Sequence, residues 1–176
     1  MPELNFSPLE LARRTLEEYL STGEIPSLPE EDIKAGAFVS IKTAEEGKLR
    51  GCMGTIEPVT DSVSEEIARN AISAAEKDPR FAALSREELE RVKITVDVLG
   101  EKEPVSEISQ LDPQKFGVIV EKNNKRGVLL PALEDVDTAK KQLEIACKKA
   151  GISAGELDNP EVNIYRFPVT RYEEES

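Results

Sequence analysis

The chain has 176 residues, a net charge of −12, two cysteines and no histidine, and its length is enough for one well-buried core. Without histidine, Ser-His-Asp triads, Cys-His dyads and histidine zinc sites are excluded, which leaves Asp, Glu, Lys, Tyr or a thiolate as any general base. The charge argues against an electrostatic grip on nucleic acid, Cys52 and Cys147 are too few for a disulfide scaffold, and no apolar run approaches the ~20 residues that span a bilayer.

Ser7-Pro8-Leu9-Glu10 predicts a capped helix start. Leu9, Ala12, Leu16, Tyr19 and Leu20 form its apolar stripe, and Gly23 ends it. Residues 24–34 read as a connecting loop. Ala37–Thr43 and Leu49–Ile56 read as two strands of a hairpin around Glu45-Glu46-Gly47-Lys48. Ser62-Val63-Ser64-Glu65 opens a second helix with Val63, Ile67, Ala71, Ala74 and Ala75 on one side, and Asp78-Pro79 stops it. Ser85–Glu88 is a third capping box for a short turn.

Residues 93–100 alternate, with Ile94, Val96 and Val98 facing one way and Thr95, Asp97 and Leu99 the other. Residues 101–115 read as a long loop. Phe116–Glu121 and Gly127–Leu130 flank the turn Asn123-Asn124. Asp137 is expected to cap a last helix to Ala150, with Cys147 on its apolar side and Gly151 as its stop. Val162–Phe167 is the last expected strand, and Glu173-Glu174-Glu175-Ser176 is expected to be a solvated tail.

Hairpin-joined strands with helices between them predict an α+β fold, with a largely antiparallel or mixed sheet and packed helices. The expected organisation is a single domain over 1–176, with room for a smaller subdomain within about 101–135. Met1-Pro2-Glu3-Leu4 has no signal-peptide pattern, which predicts a cytoplasmic protein.

The stretch Leu49-Arg50-Gly51-Cys52-Met53-Gly54-Thr55 carries the chemistry. Glycine weakens a strand, so two of them predict a bulge or the close approach of backbone or ligand. Alternation puts Arg50, Cys52 and Gly54 on one face and Gly51, Met53 and Thr55 on the other. Arg50 beside Cys52 would favour the reactive thiolate, with Gly51 and Gly54 clearing space for substrate. The alternative is that Cys52 is a small buried apolar residue. Asp78-Pro79-Arg80-Phe81 lies past a helix end, where Arg80 could clamp an anion or Asp78 and Arg80 could simply pin the loop. Arg69, Asn70 and Arg126 read as surface residues unless they converge with Arg50.

This stretch resembles the signature of the AMMECR domain family, whose prokaryotic members are called AmmeMemoRadiSam system protein A. Gly36-Ala37-Phe38-Val39-Ser40, Ala74-Ala75, Asp78-Pro79-Arg80-Phe81, Arg126-Gly127-Val128-Leu129-Leu130-Pro131 and Lys149-Ala150-Gly151 match in the same order, from about Leu9 to Phe167. The resemblance implies an α+β domain of two unequal parts with a cleft near the signature. It also implies a Memo-like protein and a radical-SAM protein as partners. The family has no settled activity. Ala132 stands where the family often has glutamine, and the chain has no Trp or His, so no role of those residues carries over.

Together these readings give Cys52 as candidate nucleophile, and Arg50, Gly51, Gly54, Thr55, Asp78, Arg80 and Arg126 as candidate ligand-binding residues. The ligand expected is a small molecule or peptide, with no metal and no cofactor. The competing classes are a non-catalytic interaction module and, against the charge, a nucleic-acid-associated factor.

Overall fold

The computed structural model describes residues 3–175. Met1, Pro2 and Ser176, which belong to the expected leaderless start and solvated tail, lie outside the described residues. Three α-helices and seven β-strands are described, and the strand pairings are antiparallel, as the hairpin pattern predicts for an α+β chain. Among the described residues no helix is long and apolar enough to cross a membrane.

The chain divides into two compact units. The first contains the residues up to Leu99 together with those from Thr170, and the second is Gly100–Val169.

In the first unit, α1 (Pro8–Thr22) starts where Ser7 Oγ accepts the Glu10 N–H at 3.3 Å, and it ends at Gly23, whose φ is 80°. A cap of this kind is worth about 1 kcal/mol. β1 (Ala37–Thr43) and β2 (Leu49–Thr55) form the expected hairpin, with Ser40 opposite Cys52 and Ile41 opposite Gly51. α2 (Val63–Glu76) is capped by Ser62. β3 (Val92–Leu99) pairs with the other side of β1, setting Thr95 opposite Ser40 and Asp97 opposite Phe38.

Period-two alternation divides these strands cleanly. Val39, Ile41, Ile94, Val96 and Val98 are fully buried in one apolar cluster with Leu16, Val63, Ile67 and Ala71 of the helices. Each such side chain contributes roughly 1.5–3 kcal/mol. Phe38, Ser40, Thr95 and Asp97 therefore point to the side of the sheet away from α1 and α2.

In the second unit, β4 (Glu103–Pro104) and a 3-10 turn at Ile108–Gln110 lie in the stretch expected to be a bare loop. β5 (Phe116–Lys122) pairs with β6 (Lys125–Leu129) around Asn123, whose φ is 56°. α3 (Ala139–Ala150) packs on this hairpin through Leu143, Ala146 and Cys147. Its cap is Thr138, whose side chain accepts the Lys141 N–H, rather than Asp137. The start falls one residue later than expected, a slip that local propensity cannot resolve.

β7 (Val162–Glu173) runs six residues past the expected strand end at Phe167, and its first half pairs with β5. The solvated tail is corrected at Glu174, while Glu173 and Glu175 are exposed as expected. Glu174 accepts from Arg13 Nε at 2.7 Å and from the Ile94 N–H at 2.7 Å, so long-range pairing overrides local polarity at that one glutamate.

Candidate functional site

The signature strand β2 pairs with β1 on one side only, and the other side is finished by a loop rather than a strand. The Cys52 N–H donates to Asp78 Oδ2 at 3.0 Å. Asp78 also accepts from Arg80, at 3.0 Å from Nε and 2.8 Å from Nη2. Asp78 is 4% exposed, and the Arg80 guanidinium holds its carboxyl well below the usual carboxylate range despite burial. The Asp78-Pro79-Arg80-Phe81 loop is thus pinned to the strand edge, while the Arg80 side chain itself stays more than half exposed.

Arg50 does not turn to the thiol. Its Nε meets Glu88 Oε2 at 3.0 Å, and its guanidinium lies 5.8 Å from the Phe81 ring centroid, with Arg80 at 5.5 Å. Glu88 is fixed in turn by its capping box with Ser85. Arg50 and Glu88 line a cleft of about 730 Å³ beside the β1–β2 turn, which also includes Lys48, Glu90 and Arg91. The cation that acts on Cys52 is Arg80. The expected activation of the thiol by Arg50 is therefore corrected, because the Glu88 partner comes from 38 residues further along the chain.

Cys52 Sγ lies 3.3 Å from Ser40 Oγ and is half-buried. Burial pushes the thiol up from its ordinary value. The Ser40 hydroxyl and Arg80 pull it back only in part, and Asp97 and Asp78 push it further up. Burial at this position thus disfavours the thiolate form of Cys52. Next to it, Asp97 is 1% exposed and is held by Arg171 at 2.7 and 3.1 Å. Cys147 lies in the apolar core of the second unit, as its helical spacing predicts.

The two glycines of the signature do not open space for substrate. A Cβ on Gly51 would stand 2.1 Å from the Ala74 carbonyl oxygen of α2, and one on Gly54 would stand 2.3 Å from the Phe38 ring. The protein's own atoms fill both positions. Thr55 turns toward α2, where its hydroxyl donates to Glu66 Oε2 and accepts from Asn70 Nδ2 at 3.2 Å.

Asn70 also donates to the Ala37 carbonyl at 2.8 Å and is buried, which corrects its reading as a surface residue. Arg126 lies on β6 of the second unit, where its Nε is 3.1 Å from Glu121 Oε1. Among the described residues no group of three or more His, Cys, Asp or Glu could hold a metal ion.

Sequence reasoning missed Glu66. It reads as a helix-start charge, yet it is fully buried and its carboxyl accepts from the Val59 and Thr60 N–H groups and from the hydroxyls of Thr55 and Thr60. Nothing local marks it, since its donors come from a loop that folds back over the helix start. Asp97 and Ser40 were legible as polar residues inside apolar strands, but their partners were not.

Comparison with known proteins places this geometry among relatives. The AMMECR1 family model matches residues 9–172. A Thermotoga maritima protein is 48% identical over 92% of this chain and 94% of its own length. A Clostridium acetobutylicum protein is 47% identical over 94% of this chain but only 36% of its own length, so the chain spans about a third of that longer relative. The crystal structure of an uncharacterized protein from Pyrococcus horikoshii matches with a TM-score of 0.87 at 30% identity, covering 96% of this chain and 90% of that one.

Proposed function

The chain belongs to the AMMECR1 family, and from that premise we propose that it is a ligand-binding domain that works through the sheet face carrying Ser40 and Cys52. The observation that carries this reading is a half-buried polar row, Cys52, Ser40 and Thr95, crossing three neighbouring strands beside the Arg171-held Asp97. Polar groups withdrawn from water in such a row favour a ligand that can hydrogen-bond to them.

The ligand is a small molecule or peptide segment with an anionic group. Arg80 receives that group. Its Nε and Nη2 are already fixed on Asp78, and Nη1 makes no hydrogen bond among the described residues, so the cation is pre-oriented. Cys52 shapes the wall as a neutral thiol and is not the nucleophile. Arg50 supports Phe81 behind Arg80 and faces the adjoining cleft.

The domain acts with a Memo-like protein and a radical-SAM protein, in the cytoplasm, without nucleic acid and without a cofactor of its own. The longer Clostridium relative supports a partnered role, since the same domain is joined there to further polypeptide.

The test is co-purification with the two partners, followed by metabolite profiling of the complex. Arg80→Gln is expected to lower ligand occupancy roughly tenfold, while Cys52→Ser leaves the profile unchanged. Native Cys52 should also react with iodoacetamide at pH 7 more slowly than a free thiol. Loss of product in Cys52→Ser with occupancy retained would restore thiol chemistry. Unchanged occupancy in both variants removes the sheet face as the site.

A further inference from the structure

α2 turns Val63, Ile67, Ala71 and Ala74 to the core. On another side of the same helix, Ala68 and Ile72 line a groove of about 350 Å³ with Ile25 and Leu28 of the connecting loop. Ile25 is 53% exposed, a large apolar side chain left in water.

Two cations, Arg69 and Lys77, line the same groove. Several arginines elsewhere in this acidic chain are matched to carboxylates: Arg13 to Glu174, Arg50 to Glu88, Arg80 to Asp78 and Arg171 to Asp97. Arg69 and Lys77 have no ion-pair partner among the described residues. The one acidic lining residue, Glu65, sits in the first turn of α2, where the helix dipole favours it. The groove is thus apolar along its floor and positive toward the C-terminal end of α2, on a protein of net charge −12.

We propose that this groove docks a short acidic, apolar segment of a partner protein. A leucine-sized anchor packs against Ile25 and Ile72, and carboxylates of the segment meet Arg69 and Lys77. Those two positions are about 12 Å apart along the helix, a span that about four extended residues cover. One anchor and two rim ion pairs give weak affinity, in the range of about 0.1–1 mM. Such a contact holds a partner that is also engaged elsewhere.

The proposal does not depend on the sheet-face reading, and either can fail alone. The probe is an acetylated, amidated six-residue peptide of alternating leucine and aspartate, titrated into the isotope-labelled full chain and followed by backbone amide shifts. Counterparts with lysine or serine in place of aspartate serve as controls.

Saturable shifts at Ala68, Arg69 and Ile72 are expected with the aspartate peptide alone. Arg69→Glu should weaken binding at least roughly fivefold, and Ile25→Asp should abolish it. Both side chains are exposed, so both variants fold. Absence of saturable shifts at these amides overturns the proposal. So does an equal response to the lysine or serine peptide, or indifference to Arg69→Glu.

Discussion

The two units use the same packing device on the dipeptide Arg-Gly, and they differ in what surrounds it. In the first, Gly51 of β2 lies under the Ala74 carbonyl of α2, and Arg50 pairs with Glu88. In the second, Gly127 of β6 lies under the Ala146 carbonyl of α3, where a Cβ would stand 1.9 Å from the oxygen, and Arg126 pairs with Glu121. Each helix also buries a polar residue at its fourth position, Glu66 in α2 and Gln142 in α3. Glu66 accepts from four groups. Gln142 donates to the Phe116 carbonyl at 2.9 Å, and its Oε1 has no partner among the described residues. The glycines therefore report close approach of a helix in both units. The satisfied polar shell belongs to the signature strand of the first unit, and it is the better marker of a site.

The sharpest way to break this contrast is to remove the polar residue from each helix. Glu66→Ala strands two backbone donors and two hydroxyls, and is expected to lose about 3–5 kcal/mol. Gln142→Leu removes a half-satisfied group and is expected to change stability by about 1 kcal/mol or less. Urea denaturation of both variants checks the pair, and equal losses would erase the distinction.

The glycines sharpen it next. Gly51→Ala and Gly127→Ala are each expected to lose about 2–3 kcal/mol through forced separation of strand and helix. Similar midpoint shifts in both would make packing the shared role, whereas loss of ligand occupancy at Gly51 without loss of stability would return that glycine to the site.

The smallest effect is in acid. The Asp78 carboxyl titrates lower when folded than when unfolded, so its contribution is complete above the ordinary carboxylate value and fades as pH falls below about 4. Asp78→Asn should flatten the acid limb of stability between about pH 4 and 2, and an unchanged limb would show that Asp78 is not a major source of it.

Much of the fold was legible because its signals are local. Ser7 and Ser62 cap the helices they precede, Gly23 and Gly151 end theirs, and the alternation through residues 93–99 names the core side correctly. The site was legible in part. Cys52, Asp78 and Arg80 do come together, but Arg50 is claimed by Glu88 and Thr55 by Glu66. Those pairings depend on how distant segments return to β2, which no residue of the strand encodes. Glu174 escaped for the same reason, since a run of glutamates looks solvated until Arg13 is placed beside it.

The pairing of buried Asp97 with Arg171 sets an order on synthesis. Asp97 is made before the whole of the second unit, and Arg171 only after it. A nascent chain released as far as Val169 would hold a desolvated carboxylate with no countercharge, so the first unit closes late, when the last strand threads back along it.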